Sequence, residues 1–383
     1  MRKICVVITA RPSYARIKTV LEAIKKHPDL ELQLIVGASA LLERYGPAIK
    51  VIRQDGFEPD AVVYMVVEGE NLVTTAKSTG LGVVELATIF DNLKPDAVIS
   101  VADRYETIST AIAASYLNIP VAHVQGGEIT GSIDEKVRHA VTKFANLHFT
   151  SNQQATERII RMGEDPKTVF TTGCPSVDLA ARVLAEGQDG FNPFDRYGGV
   201  GEIFDPQKGY IVVMQHPVTT EYKDALYQVN QTLTAIEELG YPTFWFWPNV
   251  DAGSDRISKG IRHFRETHDV PHIHFFKNFA PEDFLRLLID AKCIMGNSSV
   301  SIREASFLGV PAVNIGNRQK GRDRGPNVID TGYSGQEILE AIKKHLNNGR
   351  YPCSKLYGDG RAGERIADIL ASVPLVVDKR LTY

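Results

Sequence analysis

The feature that most constrains the fold is an alternation of short apolar segments with longer helical patterns, which the chain runs through twice. Strands that are apolar throughout and are separated by helices indicate a parallel sheet with both faces covered. The first helical patterns cover Ser13–Lys26, Asn71–Leu93 and Arg104–Leu117. The first series of predicted strands is Ile4–Thr9, Leu32–Val36, Ala61–Val67, Ala97–Val101, Val121–Val124, Leu147–Thr150 and Val169–Thr172.

The alternation stops over Glu186–Gly209, which is rich in Gly, Pro, Asp and aromatic residues and is typical of a connection. It then restarts. From this we predict an α/β protein with two Rossmann-like domains that face each other across a cleft, residues 1–185 and 186–383. The final helix, about Ala362–Val373, is a candidate to pack back on the first domain. The second series of strands is Tyr210–Met214, Thr243–Trp247, His272–Phe276, Cys293–Met295 and Ala312–Ile315.

Charge and cysteine content argue against several classes of partner and site. The net charge is −3 without a basic run, so neither nucleic acid nor an anionic membrane is expected as a partner. The four cysteines are far apart and form no metal-binding pattern, so we expect no metal and a reducing compartment. No apolar run approaches the ~20 residues of a membrane span, and we expect a cytoplasmic protein.

In the second predicted domain, polar residues directly follow two strands. Cys293–Met295 leads into Gly296-Asn297-Ser298-Ser299 and then an apparent helix, SIREASFLG, that would carry Glu304 one to two turns in. Small polar residues at a helix N-terminus suit a phosphate, and Glu304 would then reach a ribose; ordinary N-capping is the alternative. The loop after Ala312–Ile315 carries Arg318 and Arg322, which suit a diphosphate, although such charge runs are usually solvated.

His216 follows the strand Tyr210–Met214, where it is either placed to enter the cleft or is structural. In the first predicted domain, polar residues again follow the strands, and closely spaced carboxylates can divide into a general acid and a general base. An equal alternative is that Asp134 and Glu135 are first-turn acids that complement a helix dipole. The candidates here are Arg11, Asp103, Gln125, Glu128, Asp134 and Glu135.

Taken together, these segments resemble the hydrolysing UDP-N-acetylglucosamine 2-epimerases, and the likeness covers nearly the whole chain. The resemblance implies a glycosyltransferase-B-like fold, conversion of UDP-N-acetylglucosamine and water to N-acetylmannosamine and UDP through a 2-acetamidoglucal, no cofactor, and a homodimer or homotetramer. The resemblance also implies that the N-acetylmannosamine product would enter sialic acid synthesis. It rests on ARPSYARIK, VADRYE, HVQGGEITGSIDEKVRHAVTK, GCPSVD, QHPVTT, WPNVDAGS, GNSSVSIREASFLGVP, NIGNRQKGRDRGPNV and YPCSKLYGDG.

The resemblance also implies a role for each matching residue. Arg11 would contact the nucleotide, Ser298 and Ser299 the phosphates, and Glu304 the ribose. Arg318 would assist the diphosphate, with Arg322 beside it. The residues that it places around the sugar are Asp103, the Gln125 position, Asp134 or Glu135, and His216.

The chain departs from the family at Gln125, where most relatives of the animal type have glutamate. An amide does not exchange protons as a carboxylate does. Glu128 or another acid would then take over, Gln125 would only position the sugar, or the substrate would be the related UDP-N,N′-diacetylbacillosamine. Three further alternatives stay open: a non-hydrolysing epimerase, a glycosyltransferase of the same fold, and a nucleotide-sugar-binding regulator with weakened catalysis.

Overall fold

The computed structural model describes residues 1–42, 48–69, 72–101, 104–130, 134–187, 190–248 and 253–382. It divides into two units, each built on one parallel sheet. Unit 1 comprises Met1–Glu128, Ile133–Leu179 and Tyr357–Tyr383, and unit 2 comprises Ile129–Ser132 and Ala180–Leu356. Within the described residues, no helix combines the length and the apolar character needed to cross a bilayer.

The sheet of unit 1 has the strand order β3-β2-β1-β4-β5-β6-β7, so the order reverses between β1 and β4. Ligands of such sheets bind outside the carboxyl ends of the strands, at this switch point. The strands are β1 Arg2–Ile8, β2 Leu30–Gly37, β3 Ala61–Val63, β4 Ala97–Val101, β5 Val121–Val124, β6 Leu147–Thr150 and β7 Val169–Thr171.

Helices cover both faces of this sheet, which is why β1 is apolar from Ile4 to Ile8. Ile4, Val6 and Ile8 face one core, while Cys5 and Val7 face the other. The final helix packs on the first of these cores. The helices are α1 Arg11–Ala15, α2 Lys18–Lys26, α3 Ala48–Gln54, α4 Leu72–Leu93, α5 Thr107–Tyr116, α6 Asp134–Phe144, α7 Gln153–Arg161, α8 Pro175–Glu186 and, at the end of the chain, α15 Ala362–Ser372.

Unit 2 repeats the plan with the order β10-β9-β8-β11-β12-β13, and its switch point lies between β8 and β11. Its strands are β8 Ile211–Met214, β9 Thr243–Phe246, β10 Ile273–Phe276, β11 Cys293–Gly296, β12 Ala312–Ile315 and β13 Val328–Thr331. Its helices are α9 Pro193–Tyr197, α10 Ala225–Leu239, α11 Ser254–Thr267, α12 Pro281–Asp290, α13 Glu304–Leu308 and α14 Gly335–Asn348.

The predicted α/β class with two parallel sheets is confirmed, and several element boundaries were wrong. The single helix predicted over Ser13–Lys26 is divided into α1 and α2, because Ile17 is fully buried in a non-helical conformation. β3 ends at Val63, short of the predicted Val67. β13 was not predicted at all. The connection after α8 contains α9, and Val200 forms an antiparallel bridge with Phe275 of β10.

Candidate functional site

Two predicted residues follow β1 and β4, the strands on either side of the switch point, in the sequence. Arg11 is the first residue of α1, is separated from β1 by two residues, and is half-buried. Asp103, which follows β4 in the sequence, lies outside the described residues. Next to it, Arg104 binds the fully buried Glu106 through Nε and Oε1 at 2.8 Å, so the buried charge of Glu106 is compensated.

The turn after β5 carries Gln125, which is 2% exposed and has a left-handed backbone with φ of 69°. A residue other than glycine rarely adopts this conformation, so surrounding contacts must hold it. Its main-chain N–H donates to the carbonyl of Phe149 at 2.9 Å, and Nε2 donates to Sγ of Cys174 at 3.0 Å. Gln125 Oε1 has no hydrogen-bond partner among the residues described. Gln125 is therefore fixed in place and does not titrate, and its buried Oε1 is an acceptor that no described residue satisfies.

Gly127 makes this turn possible because a side chain there would collide with α7. A Cβ at Gly127 would lie 2.3 Å from the carbonyl oxygen of Ala155, and φ is 75°. Gly126 has a different role, since a Cβ there would lie 2.8 Å from Nδ1 of His123. His123 is itself fully buried, with Nδ1 3.2 Å from Oγ1 of Thr142. His123 is therefore part of the packing between β5 and α6.

The carboxylates predicted near this turn occupy different environments. Glu128 is 1% exposed, and its Oε1 accepts a 2.5 Å hydrogen bond from Oγ of Ser151. Asp134 and Glu135 both lie in the first turn of α6, as the helix-dipole interpretation expects, and both are only half-buried. Glu128 is thus enclosed by protein, whereas Asp134 and Glu135 remain reachable from solvent.

Arg138 joins two of these acidic residues. Its guanidinium is fully buried, and Nη1 donates to the carbonyl oxygen of Glu128 and to Oε2 of Glu135, both at 2.8 Å. The other carboxylate oxygen of Glu135 lies 2.8 Å from Nε2 of His139. Neither Arg138 nor His139 was predicted, although their spacings of three and four residues from Glu135 indicate a shared helix face.

In unit 2 the residues after β8 and β11 contact each other across the switch point. His216 is half-buried, and both its main-chain N–H and its carbonyl bind the side-chain amide of Asn297, each at 2.8 Å. The carbonyl oxygen of Asn297 in turn accepts hydrogen bonds from Arg318 Nη1 at 3.1 Å and from Gln319 Nε2 at 2.9 Å. The structure therefore brings together His216 and Arg318, with Asn297, which was not predicted, between them.

The helix predicted after Gly296-Asn297-Ser298-Ser299 begins later than predicted. Ser299–Ser301 forms a 3₁₀ turn, and the α-helix begins only at Glu304 and ends at Leu308. Among the described residues the Ser298 side chain makes no hydrogen bond that caps the turn. Glu304 is thus the first residue of α13, with a buried Oε2 that has no hydrogen-bond partner within the described chain. The interruption follows from the burial of Ser301, Ile302 and Arg303, which turn into the protein.

The cationic loop after β12 is more buried than a solvated charge run. Arg322 is only 4% exposed, and Arg324 donates to the carbonyls of Gln319 and Arg322. Asn317, at the start of the loop, donates to Oε1 of Glu221 at 3.1 Å. The loop is therefore ordered by hydrogen bonds, and Arg318 is held at the carboxyl end of the strands by its bond to Asn297.

The family of the chain follows from comparison with known proteins. The sequence model of a family described as UDP-N-acetylglucosamine 2-epimerase matches residues 22–371. The chain is 32% identical to a UDP-N,N′-diacetylbacillosamine 2-epimerase (hydrolyzing) of Legionella pneumophila, over 98% of this chain and 97% of the relative. It is 30% identical to a UDP-N-acetylglucosamine 2-epimerase of Neisseria meningitidis, over 97% and 95% of the two chains.

The fold is also that of known structures. A crystal structure of UDP-GlcNAc 2-epimerase from Neisseria meningitidis bound to UDP-GlcNAc superposes with a TM-score of 0.80 at 16% identity, over 96% of this chain and 99% of that one. At such low identity this likeness shows the fold alone. The family match and the two relatives carry the assignment: the chain belongs to the UDP-N-acetylglucosamine 2-epimerase family.

Proposed function

We propose that the protein is a hydrolysing 2-epimerase that converts UDP-N-acetylglucosamine and water to N-acetylmannosamine and UDP, a reaction that supplies sialic acid synthesis. The observation that carries the proposal is Glu135, whose carboxylate is 28% exposed and is held by Arg138 and His139. A carboxylate that is fixed in direction and still reachable is what proton transfer at a sugar carbon requires. The full-length similarity to a Legionella relative named as hydrolyzing supports the hydrolytic outcome.

The proposed reaction has two stages. In the first, the proton at C2 leaves while the bond from C1 to the UDP oxygen breaks, giving 2-acetamidoglucal and UDP. In the second, water adds its hydroxyl group at C1, and a proton returns to C2 from the opposite face. Because the C2 proton is weakly acidic, cleavage at C1 runs ahead and positive charge builds on the anomeric carbon, so the departing diphosphate must be stabilised.

The residues of unit 2 suit the leaving group. Arg318 and Arg322 would neutralise the diphosphate, Ser298 and Ser299 would bind phosphate oxygens, and His216 would donate to the diphosphate or to a sugar hydroxyl. Glu304 would hold the ribose, and Arg11 of unit 1 would contact the nucleotide. The proposal needs neither a metal nor a nicotinamide cofactor.

The residues of unit 1 suit the sugar. We assign the proton transfers to Asp103 together with Asp134 or Glu135, each worth roughly 10²–10⁴-fold as an acid or base. Glu128 is a poorer candidate, because its carboxylate is buried and bound to Ser151. Glu128 and Gln125 would shape the turn that faces the sugar.

A second candidate substrate is UDP-N,N′-diacetylbacillosamine. The Legionella relative carries this substrate in its name. Gln125 is compatible with either sugar: its buried Oε1 has no hydrogen-bond partner among the described residues, and both substrates carry an acetamido N–H that would satisfy this oxygen.

Proton NMR in D₂O with each sugar nucleotide tests the proposal. Free N-acetylmannosamine that carries deuterium at C2, with one UDP per sugar, is expected from UDP-N-acetylglucosamine. UDP-N-acetylmannosamine as product would instead show a non-hydrolysing epimerase. Turnover of the diacetamido nucleotide alone would establish the second candidate. If neither nucleotide turned over, the protein would be a glycosyltransferase that needs an acceptor, or a binding protein.

We also propose a cytoplasmic homodimer or homotetramer. All four cysteines are free thiols, as in a reducing compartment. α4 exposes several large apolar side chains, which makes it the candidate surface for a subunit interface. Sedimentation velocity of the wild type and Val84→Lys, which charges this face, would show whether α4 joins subunits. The exposed apolar residues of α4 are Leu72, Val73, Leu81 and Val84.

A further inference from the structure

Asn297 connects two strand ends of unit 2, at the switch point between β8 and β11. Its side-chain Oδ1 accepts from the main-chain N–H of His216, and its Nδ2 donates to the carbonyl of His216, both at 2.8 Å. Its own N–H donates to the carbonyl of Met214 at 3.2 Å. Asn297 is 1% exposed. Three hydrogen bonds therefore fix the main chain on both sides of His216.

The residue before Asn297 permits this approach. Gly296 has φ of 127°, and a Cβ there would lie 2.1 Å from the carbonyl oxygen of Met214. Only glycine lets β11 come this close to the end of β8. A primary amide offers a donor and an acceptor side by side, which matches the main-chain N–H and carbonyl of His216. Gly296 and Asn297 thus act as a pair.

Asn297 has a second set of contacts through its main chain. Its carbonyl oxygen accepts from Nη1 of Arg318 at 3.1 Å and from Nε2 of Gln319 at 2.9 Å. These two residues belong to the loop after β12. One buried residue therefore connects the loops that follow β8, β11 and β12.

We propose that Asn297 is a positioning residue that acts through His216 and, by its carbonyl, through Arg318. This inference rests on the proposed function, because it concerns the residues assigned there to the diphosphate. Asn297 carries no charge and exchanges no proton, so its contribution is geometric. A displacement of about 1 Å in a group that stabilises the leaving group costs on the order of 10²-fold in rate.

Asn297→Ala tests the inference against Asn327→Ala as a matched control. Asn327 is also 1% exposed in unit 2, and its Nδ2 donates to the carbonyl of Val310 at 2.8 Å. Both variants should lose stability in urea unfolding, Asn297→Ala the more, because the side chain of Asn297 makes two hydrogen bonds and that of Asn327 makes one. Asn297→Ala should lower kcat about 10- to 100-fold, with Asn327→Ala within about twofold of the wild type. Equal kcat in the two variants would overturn the inference, because a purely structural role predicts it.

A double-mutant cycle with His216→Ala decides whether Asn297 acts through His216. If it does, Asn297→Ala should change kcat by less than about threefold in the His216→Ala background, because the group it positions is gone. Multiplication of the two losses would show an independent role and would contradict the proposal. Asn297→Asp keeps the shape and the acceptor but loses the donor, so it should fall between the wild type and Asn297→Ala.

Failure of the proposed function gives a different result from failure of this inference. A wild type that turns over neither UDP sugar would refute the function. The same cycle is then measured on UDP affinity by calorimetry, where coupling of Asn297 to His216 is again expected and additivity again contradicts it. Hydrogen exchange of the peptide over 211–218 adds a readout that needs no ligand: the His216 amide should be protected in the wild type and exchange faster in Asn297→Ala.

Discussion

Nε2 of Gln125 lies 3.0 Å from Sγ of Cys174, and this contact joins the turn after β5 to the residue that precedes α8. Both residues are at most 2% exposed. Sγ of Cys174 also lies 3.0 Å from Oγ of Ser176. The thiol of Cys174 therefore helps to hold Gln125 in its left-handed backbone conformation by binding its side chain. Cys174 is a free cysteine, and this contact gives it a structural role.

Removing the sulfur should disturb this turn. Cys174→Ala leaves the amide of Gln125 without its acceptor, and a buried donor left unsatisfied costs about 1–3 kcal/mol of unfolding free energy. Cys174→Ser keeps an acceptor at the same atom and should recover part of this loss. Urea unfolding together with kcat for both variants is the measurement. Equal stability of the two variants would show that the Gln125–Cys174 contact contributes nothing.

The two acidic residues that Arg138 joins should respond differently to neutralisation. Glu135→Gln should lower kcat by at least roughly 10²-fold, because an amide cannot transfer the proton. Glu128→Gln keeps an oxygen that can accept from Ser151, so kcat should change by less than about tenfold. Its main effect should be a lower melting temperature. Turnover and thermal unfolding of both variants provide the comparison, and the reverse order of kcat values would exchange the assigned roles.

Asp103 is one of the carboxylates to which we assign the proton transfers. Asp103→Asn should reduce turnover at least about 10²-fold while UDP affinity stays close to that of the wild type, because the nucleotide is assigned to other residues. Turnover by NMR and UDP binding by calorimetry report the two effects separately. Turnover within a few-fold of the wild type would remove Asp103 from the mechanism.

Stability toward acid should depend on Glu164, which is 3% exposed and is bound by Lys143, Lys379 and His148. Burial by itself raises the pKa of Glu164, but the hydrogen bonds from His148, Lys143 and Lys379 outweigh it and lower the pKa from 4.5 to about 2. Since this pKa is below that of the unfolded chain, ionised Glu164 stabilises the fold above about pH 4.5. This stabilisation is lost as the pH falls toward 2.

Glu164→Gln should therefore flatten the dependence of unfolding free energy on pH in the acid range. Glu157→Gln, on the exposed surface of α7, is the control and should leave the slope as in the wild type. Urea unfolding at a series of pH values from about 5 down to 3 measures the slopes. Identical slopes for the wild type and Glu164→Gln would contradict the prediction.

Much of the fold follows from the sequence because the signals are local. Buried strands such as β4 and β5 are mostly apolar, and their predicted bounds match the structure. β13 escaped prediction because only half of Val328–Thr331 is apolar and none of it is fully buried; it extends the sheet by pairing with β12. The division of α1 from α2 likewise depends on tertiary packing, because Ile17 is fully buried in a non-helical conformation.

The sequence by itself determined the two α/β sheets, the family, and the polar segments that follow the strands, because apolar periodicity and motif order are written along the chain. Only the tertiary structure decided which of those residues meet. Asn297 binds His216 across a separation of 81 residues, and Gln125 reaches Cys174 across 49. Such pairs depend on which strands become neighbours in a sheet, and no local pattern of side chains encodes the distance between two strand ends.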